Sequence, residues 1–247
     1  MRLAFLSDLH GNLPALESAL ATAEAKGAER FVIAGDVVGG GPFPSETIAR
    51  LRDDGRCDVI RGNVDLSVLK LARRKKRKKL QKRSAGNGKK ANRAWTALAL
   101  TQDDLAWLDS LPTRLAFEVA GSEVLVVHGS PRTDTEYIYP SITSVGLRRM
   151  LESHDGPEPR LLVSGHSHIP FAHQVEGTMV VNCGSVGWPA DGDPRGAFAM
   201  ADADGGGGLH VEIVRFTYPV DEAIAAIERL GVPGIDGEDY RQGLKNG

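Results

Sequence analysis

The first third of the chain alternates short apolar segments with helix-like segments. Residues 2–6, 31–34 and 58–60 are mostly apolar, and each segment gives way to a glycine or a polar residue. Between them, apolar residues recur at helical spacing over residues 12–26, and residues 45–54 carry a shorter pattern of the same kind. Strands that alternate with helices are typical of a parallel or mixed sheet covered by helices. The pattern therefore predicts an α/β fold.

The chain is long enough to form a substantial core, with 247 residues of which 41% are hydrophobic. No long Pro- or Ser-rich linker divides it, so we expect one domain over residues 1–247. No apolar run approaches the roughly 20 residues that span a membrane, and a strand that begins at the second residue leaves no room for a signal peptide. The two cysteines form no Cys-x-x-Cys pair, which suits a reducing compartment. We therefore expect a cytoplasmic protein without membrane contact.

The polar residues of greatest interest follow the apolar segments, where strands are predicted to end. Five chain segments supply two Asp, one Asn and four His, namely Asp8, His10, Asp36, Asn63, His128, His166 and His168. In sheets built from strand and helix units, ligands bind beyond the carboxyl ends of the strands. The five segments can therefore deliver these side chains to one crevice.

These side chains combine oxygen and imidazole donors and include no thiolate. Such donors suit Mn²⁺, Fe²⁺ or Zn²⁺ better than Ca²⁺ or Mg²⁺. We expect manganese, with iron and zinc as the alternatives. Seven ligands are too many for one catalytic metal with an open position, and they suit two metals about 3.5–4 Å apart with one carboxylate between them. The sequence thus predicts a centre with two metals.

The order of these residues resembles that of the calcineurin-like metallophosphoesterase family. The matching motifs are Asp8-x-His10, Gly35-Asp36, Gly62-Asn63, His128 and Gly165-His166-x-His168. Residues 1–217 are similar to the smaller bacterial members, whose fold is a four-layer sandwich of two mixed β-sheets flanked by α-helices. The resemblance implies two ligand sets and a bridge: Asp8, His10 and His168 for one metal, Asn63, His128 and His166 for the other, and Asp36 between them.

The resemblance also implies metal-dependent hydrolysis of a phosphoric ester by in-line attack of a hydroxide that bridges the metals. Two cations lower the pKa of that water and neutralise charge on the phosphoryl oxygens, so no side-chain nucleophile is needed. Asp36, Asn63 and His128 are therefore the expected catalytic positions. Arg132 is a candidate contact for a substrate phosphate, and an exposed, solvated arginine is the equal alternative. Tyr137 and Tyr139 are candidates for stacking on a base, although loop packing is the commoner role of tyrosine.

The chain departs from the family pattern at Val64. Many members have Gly-Asn-His-Asp/Glu at this motif, where the His protonates the leaving group, whereas this chain has Gly62-Asn63-Val64-Asp65. A valine cannot donate a proton, and general acid catalysis is worth about 10²–10⁴-fold. We therefore expect phosphodiesters as substrates rather than phosphomonoesters with poor leaving groups. Asp65 is interpreted as a cap of the next helix.

Positive charge is concentrated in residues 66–102, which contain 13 Lys or Arg and no Asp or Glu. The rest of the chain has 17 basic and 32 acidic residues, a net charge of −15. Because a block of like charges repels itself, we expect an insertion at about residues 66–93 that is at least partly disordered. Three uses stay open: a solvated insertion, a segment at residues 70–93 that holds nucleic acid or another polyanion, and contact with another subunit of a homo-oligomer.

Two alternative functions also stay open from the sequence. A nuclease would use the basic segment to hold nucleic acid near the metals. A non-catalytic binding scaffold would retain the fold without the chemistry, although all seven ligand positions are filled in this chain.

Overall fold

The computed structural model describes residues 1–74, 76–203 and 209–244. In chain order the elements are β1 (Arg2–Leu6), α1 (Leu13–Ala25), β2 (Arg30–Ile33), α2 (Pro44–Asp53), β3 (Cys57–Val59), α3 (Asn63–Arg74), α4 (Arg77–Ser84), α5 (Lys89–Ala99), α6 (Gln102–Ser110), β4 (Arg114–Val119), β5 (Ser122–Val127), α7 (Ser144–Leu151), β6 (Leu161–Ser164), β7 (Phe171–Val175), β8 (Thr178–Asn182), β9 (Gly196–Ala203), β10 (Leu209–Phe216), α8 (Val220–Leu230) and α9 (Gly237–Gln242). In these described ranges, no helix has the length and apolar character required to cross a bilayer.

The strands form two mixed five-stranded sheets. The first has the order β10-β9-β1-β2-β3, in which β1, β2 and β3 are parallel and β9 and β10 are antiparallel to their neighbours. The second has the order β4-β5-β6-β8-β7, in which β5, β6 and β8 are parallel and the two edge strands are antiparallel. Leu6 pairs with Ile33 in the first sheet, and Val126 pairs with Val163 in the second. The carboxyl ends of β1 and β2, and those of β5 and β6, are therefore level.

The two sheets pack face to face, and helices cover their outer faces. Leu3 and Phe5 of β1 lie in the core between the sheets, together with side chains of β5, β6 and β8. The alternate residues Ala4 and Leu6 pack outwards against α1 and neighbouring helices. On the far side, α7 covers the second sheet through Leu147. From Leu3 to Leu6 β1 is buried on both faces, and this part of its sequence is continuously apolar. The predicted four-layer α/β sandwich is confirmed.

The described part of the basic segment is largely helical, whereas the sequence predicts an insertion at about residues 66–93 that is at least partly disordered. Helices α3, α4 and α5 cover most of it. Although α4 is otherwise strongly charged, it buries Leu80, and α5 buries Ala94 and Ala97 against the core of the first sheet. In proteins, most of the stability of a helix comes from the packing of its apolar face against the rest of the fold. Lys75, which belongs to the same basic run, lies outside the described residues.

Candidate metal centre

The structure brings all seven predicted ligands to one end of the two sheets. They follow β1, β2, β3, β5 and β6, which are the parallel strands whose carboxyl ends meet there. Two groups of donors have ligand atoms within 4.8 Å of one another: Asp8, His10 and His168, and Asp36, His128 and His166. Asn63 joins the second group, because its Oδ1 lies 2.9 Å from Nε2 of His128.

Asp36 lies between the two groups. Its Oδ2 is 3.9 Å from Nε2 of His10 in the first group and 3.4 Å from Nε2 of His128 in the second. Its Oδ1 accepts a hydrogen bond of 2.8 Å from the backbone N–H of Val64. The backbone therefore fixes one oxygen of Asp36, while the other oxygen faces both groups.

Backbone carbonyls orient the four imidazoles. Each ring has one nitrogen on a carbonyl oxygen: Nδ1 of His10 on Gly39, Nδ1 of His128 on Ala34, Nδ1 of His168 on Trp188, and Nε2 of His166 on Thr135. A carbonyl can only accept, so the nitrogen that contacts it carries the hydrogen. The other nitrogen of a neutral ring is then free to bind a metal, which is the usual arrangement around ligating histidines.

The ligand residues concentrate the backbone strain of the fold. Five of the seven have left-handed φ values, namely Asp8 (55°), His10 (53°), Asp36 (51°), His166 (65°) and His168 (59°). In the described part of the chain, the other non-glycine residues with positive φ are Ala120 and Glu176, both in turns between strands. Such a conformation costs about 1–3 kcal/mol per residue and clusters at functional sites. The surrounding packing therefore holds these five residues in place at a cost to stability.

Two glycines of the sequence motifs are required by the close approach of ligand carboxylates. A Cβ atom on Gly62 would lie 2.2 Å from Oδ1 of Asp36. A Cβ atom on Gly165 would lie 1.9 Å from Oγ of Ser7 and 2.6 Å from Oδ2 of Asp8. Any larger residue at either position would displace a ligand, which explains why glycine precedes Asn63 and His166.

The buried carboxylate of Asp8 tests whether these residues fit a cation. Its Oδ2 accepts hydrogen bonds from Oγ of Ser7 at 2.7 Å and from the backbone N–H of His166 at 2.8 Å. Among the residues that the structure describes, no donor hydrogen-bonds its buried Oδ1, although Nε2 of His168 lies 3.0 Å away. A buried acceptor without a donor costs about 1–3 kcal/mol or more when it is charged. A metal ion bound by Oδ1 and the neighbouring imidazoles would satisfy it, so the residues fit a cation.

Without metal, the carboxylates and imidazoles of the centre shift the pKa values of one another. Burial by itself would raise the pKa of Asp8 and Asp36, but the imidazoles outweigh it. His168 and His10 hold the pKa of Asp8 well below its usual range, and His128 lowers the pKa of Asp36 to about 2. Burial by itself would lower the pKa of His128, but Asp36 raises it to about 10. Without metal, Asp36 and His128 therefore form a buried ion pair at neutral pH.

Asp65 ties two ligand-bearing segments together. Its buried carboxylate accepts hydrogen bonds from the backbone N–H groups of Val37 (3.2 Å), Val38 (3.0 Å) and Gly62 (2.9 Å). The bond from Gly62, just before α3, agrees with the predicted capping role. The other two bonds join α3 to the segment that follows Asp36, which the local sequence pattern did not indicate.

Replacing Asp65 with asparagine should lower the free energy of unfolding by about 2–4 kcal/mol. The amide has one acceptor oxygen and would turn its NH₂ group towards backbone donors, leaving buried N–H groups unsatisfied at about 1–3 kcal/mol each. Urea titration measures the loss, with Asp103→Asn as the control because Asp103 is exposed. Equal unfolding midpoints for the two variants would contradict the role of Asp65.

The two ligand groups open onto a cavity of about 320 Å³. Besides ligands, its walls include Val64, Lys89, Asn92, Arg93, Tyr137, Tyr139 and Trp188. Tyr137 stacks on His166, with ring centroids 4.2 Å apart and an interplanar angle of 17°. Trp188 also stacks on Tyr240 of α9, so the C-terminal helices support one wall.

The structure does not place Arg132 among the residues that line this cavity. Its guanidinium is exposed and pairs with Glu136, with 2.9 Å between Nε and Oε2. The expected substrate contact by Arg132 is therefore not supported. Lys89 and Arg93 line the cavity instead. They are two of the 13 basic residues at positions 66–102, and no local sequence signal separates them from the other eleven.

Comparisons with known proteins agree with this geometry. A model of the calcineurin-like phosphoesterase superfamily domain matches residues 1–206. The chain is 28% identical to the uncharacterized protein MJ0912 of Methanocaldococcus jannaschii over 96% of each protein. A stretch of 77 residues, 28% of this chain and 42% of the relative, is 38% identical to phosphodiesterase YfcE of Escherichia coli K12. The crystal structure of a metallophosphoesterase from Sphaerobacter thermophilus is similar with a TM-score of 0.81 and 27% identity, over 99% of both chains.

The family match covers the residues from Asp8 to His168, and the structure gathers their donor atoms into two neighbouring groups, of which His10, Asp36, Asn63 and His166 line the cavity. The similarity to the Sphaerobacter thermophilus protein extends over both sheets. The chain therefore belongs to the calcineurin-like phosphoesterase superfamily, and its class of activity is the metal-dependent hydrolysis of phosphoric esters.

Proposed function

We propose that the protein hydrolyses phosphodiesters with two divalent transition-metal ions, for which we expect manganese, with iron or zinc as the alternatives. The observation that carries the proposal is the position of Asp36, whose Oδ2 faces an imidazole of each ligand group at 3.9 Å and 3.4 Å. Nitrogen and oxygen donors of this kind suit these metals. Asp8, His10 and His168 would hold one ion, and Asn63, His128 and His166 the other.

Two bound ions would supply an activated water as the nucleophile and would neutralise charge on the phosphoryl oxygens. The chain contributes preorganisation. Backbone carbonyls hold the imidazoles in their orientation, and the N–H of Val64 holds Asp36. Because these contacts exist before substrate arrives, little reorganisation is needed during the reaction.

The preference for diesters rests on Val64, which lines the cavity beside Asn63. A proton donor at this position would serve the leaving group. The loose transition state of phosphoryl transfer from a monoester leaves much of the charge on the leaving oxygen, so alkyl monoesters depend strongly on that proton. Their hydrolysis should therefore be slow in this protein.

Metal analysis and a pair of substrates test the proposal. The purified, reconstituted protein should contain two ions per chain. With Mn²⁺ it should show a higher kcat/KM for bis(p-nitrophenyl) phosphate than for an alkyl phosphomonoester, whose leaving oxygen depends on a proton donor. A protein that takes up no metal after reconstitution would instead be a scaffold, and a preference for the monoester would contradict the assigned substrate class.

Metal loading should release about one proton from His128 near neutral pH. The raised pKa of His128, about 10, keeps the ring protonated without metal, whereas a ligand must be neutral. The apparent affinity should therefore rise roughly tenfold per pH unit between about pH 7 and 9. Since this pKa lies above the unfolded value of about 6.5, the ion pair stabilises the metal-free fold fully below about pH 6.5, and its contribution is lost as the pH rises through about 10.

Calorimetry in buffers of different ionisation enthalpy counts the protons released. The matched control is His173→Asn, which alters an exposed histidine outside the centre. Metal binding that is independent of buffer and pH would show that His128 is not a ligand.

A further inference from the structure

The buried side chain of Asn92 connects helix α5 by hydrogen bonds to the loop beside the candidate ligand His10. The amide of Asn92 donates to the carbonyl oxygens of Gly40 at 3.1 Å and Pro233 at 3.2 Å, and only 4% of the residue is exposed. The preceding residue of that loop, Gly39, holds Nδ1 of His10 through its own carbonyl. The first turn of α5 is therefore fixed relative to a ligand imidazole, and it is not a mobile arm.

Two cationic side chains of this anchored turn line the cavity. Lys89 and Arg93 flank Asn92 and, four residues apart, lie on the same side of α5. Within the described ranges, neither has an acidic side chain at ion-pair distance, whereas Arg73 pairs with Asp109. The first turn of α5 contains no acidic residue either. Two cations without acidic partners at one wall of a cavity provide a field that attracts an anion.

The cavity also has an aromatic wall. Tyr137 and Tyr139 stack with centroids 5.5 Å apart and an interplanar angle of 18°. They are 49% and 43% exposed, which is unusual for large aromatic side chains in this structure. Because Tyr137 also stacks on His166, the ring that can serve as a platform for a planar base is Tyr139, and any nucleobase has a π-face.

We propose that Lys89 and Arg93 bind a second phosphoryl group of the substrate and that Tyr139, supported by Tyr137, stacks on its base. The inference rests on the proposed phosphodiesterase function and narrows it to nucleotide diesters that carry a phosphate besides the scissile one. Charge-assisted hydrogen bonds from a guanidinium and an ammonium group suit a phosphate. A cavity of about 320 Å³ is at the lower end of the range for small-molecule sites, which fits a nucleotide.

Lys89 and Arg93 of α5 line the cavity, whereas the other basic residues of the segment that the structure describes do not. Helix α4 carries the densest charge, yet none of its residues lines the cavity. Arg77 and Lys78 of α4 are exposed and provide a matched pair with the same charge as Lys89 and Arg93. Comparison of the two pairs separates a specific phosphate contact from the general field of the segment.

The test uses the full chain loaded with Mn²⁺ and three substrates: bis(p-nitrophenyl) phosphate, a dinucleotide with a terminal phosphate, and the same dinucleotide without it. The wild type should favour the phosphorylated dinucleotide by about 10-fold in kcat/KM. The Lys89→Ala/Arg93→Ala variant should lose this preference through a higher KM, and its loss on the phosphorylated dinucleotide should exceed its loss on the aryl diester about 10-fold. The Arg77→Ala/Lys78→Ala control should keep the preference.

A binding measurement on the metal-free protein provides an independent readout. Calorimetry with a nucleoside bisphosphate should show about 10-fold weaker binding to the Lys89→Ala/Arg93→Ala variant than to the wild type. Tyr139→Ala should weaken binding by a similar factor through loss of stacking. Equal affinity of the wild type and the α5 variant would overturn the inference.

The failure of the inference can be distinguished from that of the proposed function. A wild type that does not cleave bis(p-nitrophenyl) phosphate would refute the phosphodiesterase proposal. A wild type that cleaves it but does not distinguish the two dinucleotides would overturn only the second-phosphate site. An equal loss of preference in the α4 control would overturn it as well, because the field of the whole segment would then account for binding.

Discussion

The Asp36→Ala variant should lose about 10³-fold or more in kcat/KM for bis(p-nitrophenyl) phosphate and should retain fewer than two metal ions. Asp36 is the residue whose carboxylate faces both ligand groups, so its loss would affect both proposed metal positions. Metal ions contribute several kcal/mol to stabilising the transition state, and each 1.36 kcal/mol corresponds to a factor of ten in rate. Steady-state kinetics and metal analysis of the same preparation measure both effects.

Two further variants make this result specific. Asp58→Ala removes an exposed carboxylate that pairs with Arg30 far from the ligands and should keep full activity. His168→Ala removes a ligand of one group only and should cost less activity than Asp36→Ala. An Asp36→Ala protein with two metals and wild-type turnover would refute the shared carboxylate.

The Val64→His variant should gain about 10²-fold in kcat/KM on alkyl phosphomonoesters. The new imidazole would face the cavity next to Asn63 and could protonate a leaving oxygen, a contribution worth about 10²–10⁴-fold. p-Nitrophenolate leaves without protonation, so the rate on p-nitrophenyl phosphate should change much less. Parallel assays of an alkyl and an aryl monoester measure the difference, and the pH profile on the alkyl ester should gain a limb from the histidine.

Val64→Phe is the matched control, because it adds a ring of similar size without a proton donor. It should not accelerate hydrolysis of either monoester. Equal rates for Val64→His and the wild type on the alkyl ester would refute the proposal that the missing acid restricts the substrate.

The sequence by itself was sufficient for the fold class and for naming seven candidate ligands that the structure brings to one end of the sheets. The alternation of apolar strands and helices predicted the layered α/β architecture, because a parallel strand buried on both faces must be apolar throughout. Asp8, His10, Asp36, Asn63, His128, His166 and His168 were predicted because polar residues directly after such strands meet at one edge of the sheets. These inferences depend on local pattern and on strand direction, both of which can be read along the chain.

Some elements escaped detection for lack of a strong local signal. Strand β4 alternates between exposed and partly buried residues at the edge of its sheet, so its pattern is weaker than that of a central strand. For residues 66–93 the sequence predicts an insertion that is at least partly disordered, whereas the structure has helices at residues 77–84 and 89–99 that bury Leu80, Ala94 and Ala97.

Only the tertiary structure decided which basic residues face the cavity. Lys89 and Arg93 line it because buried Asn92 joins α5 to Gly40 and Pro233, contacts that span 52 and 141 residues of the chain. Arg132 is close to His128 in sequence, yet its guanidinium pairs with Glu136 outside the cavity lining. The strands and motifs thus indicate the candidate metal ligands from local sequence. The other walls of the cavity depend on packing between distant segments, which local sequence does not encode.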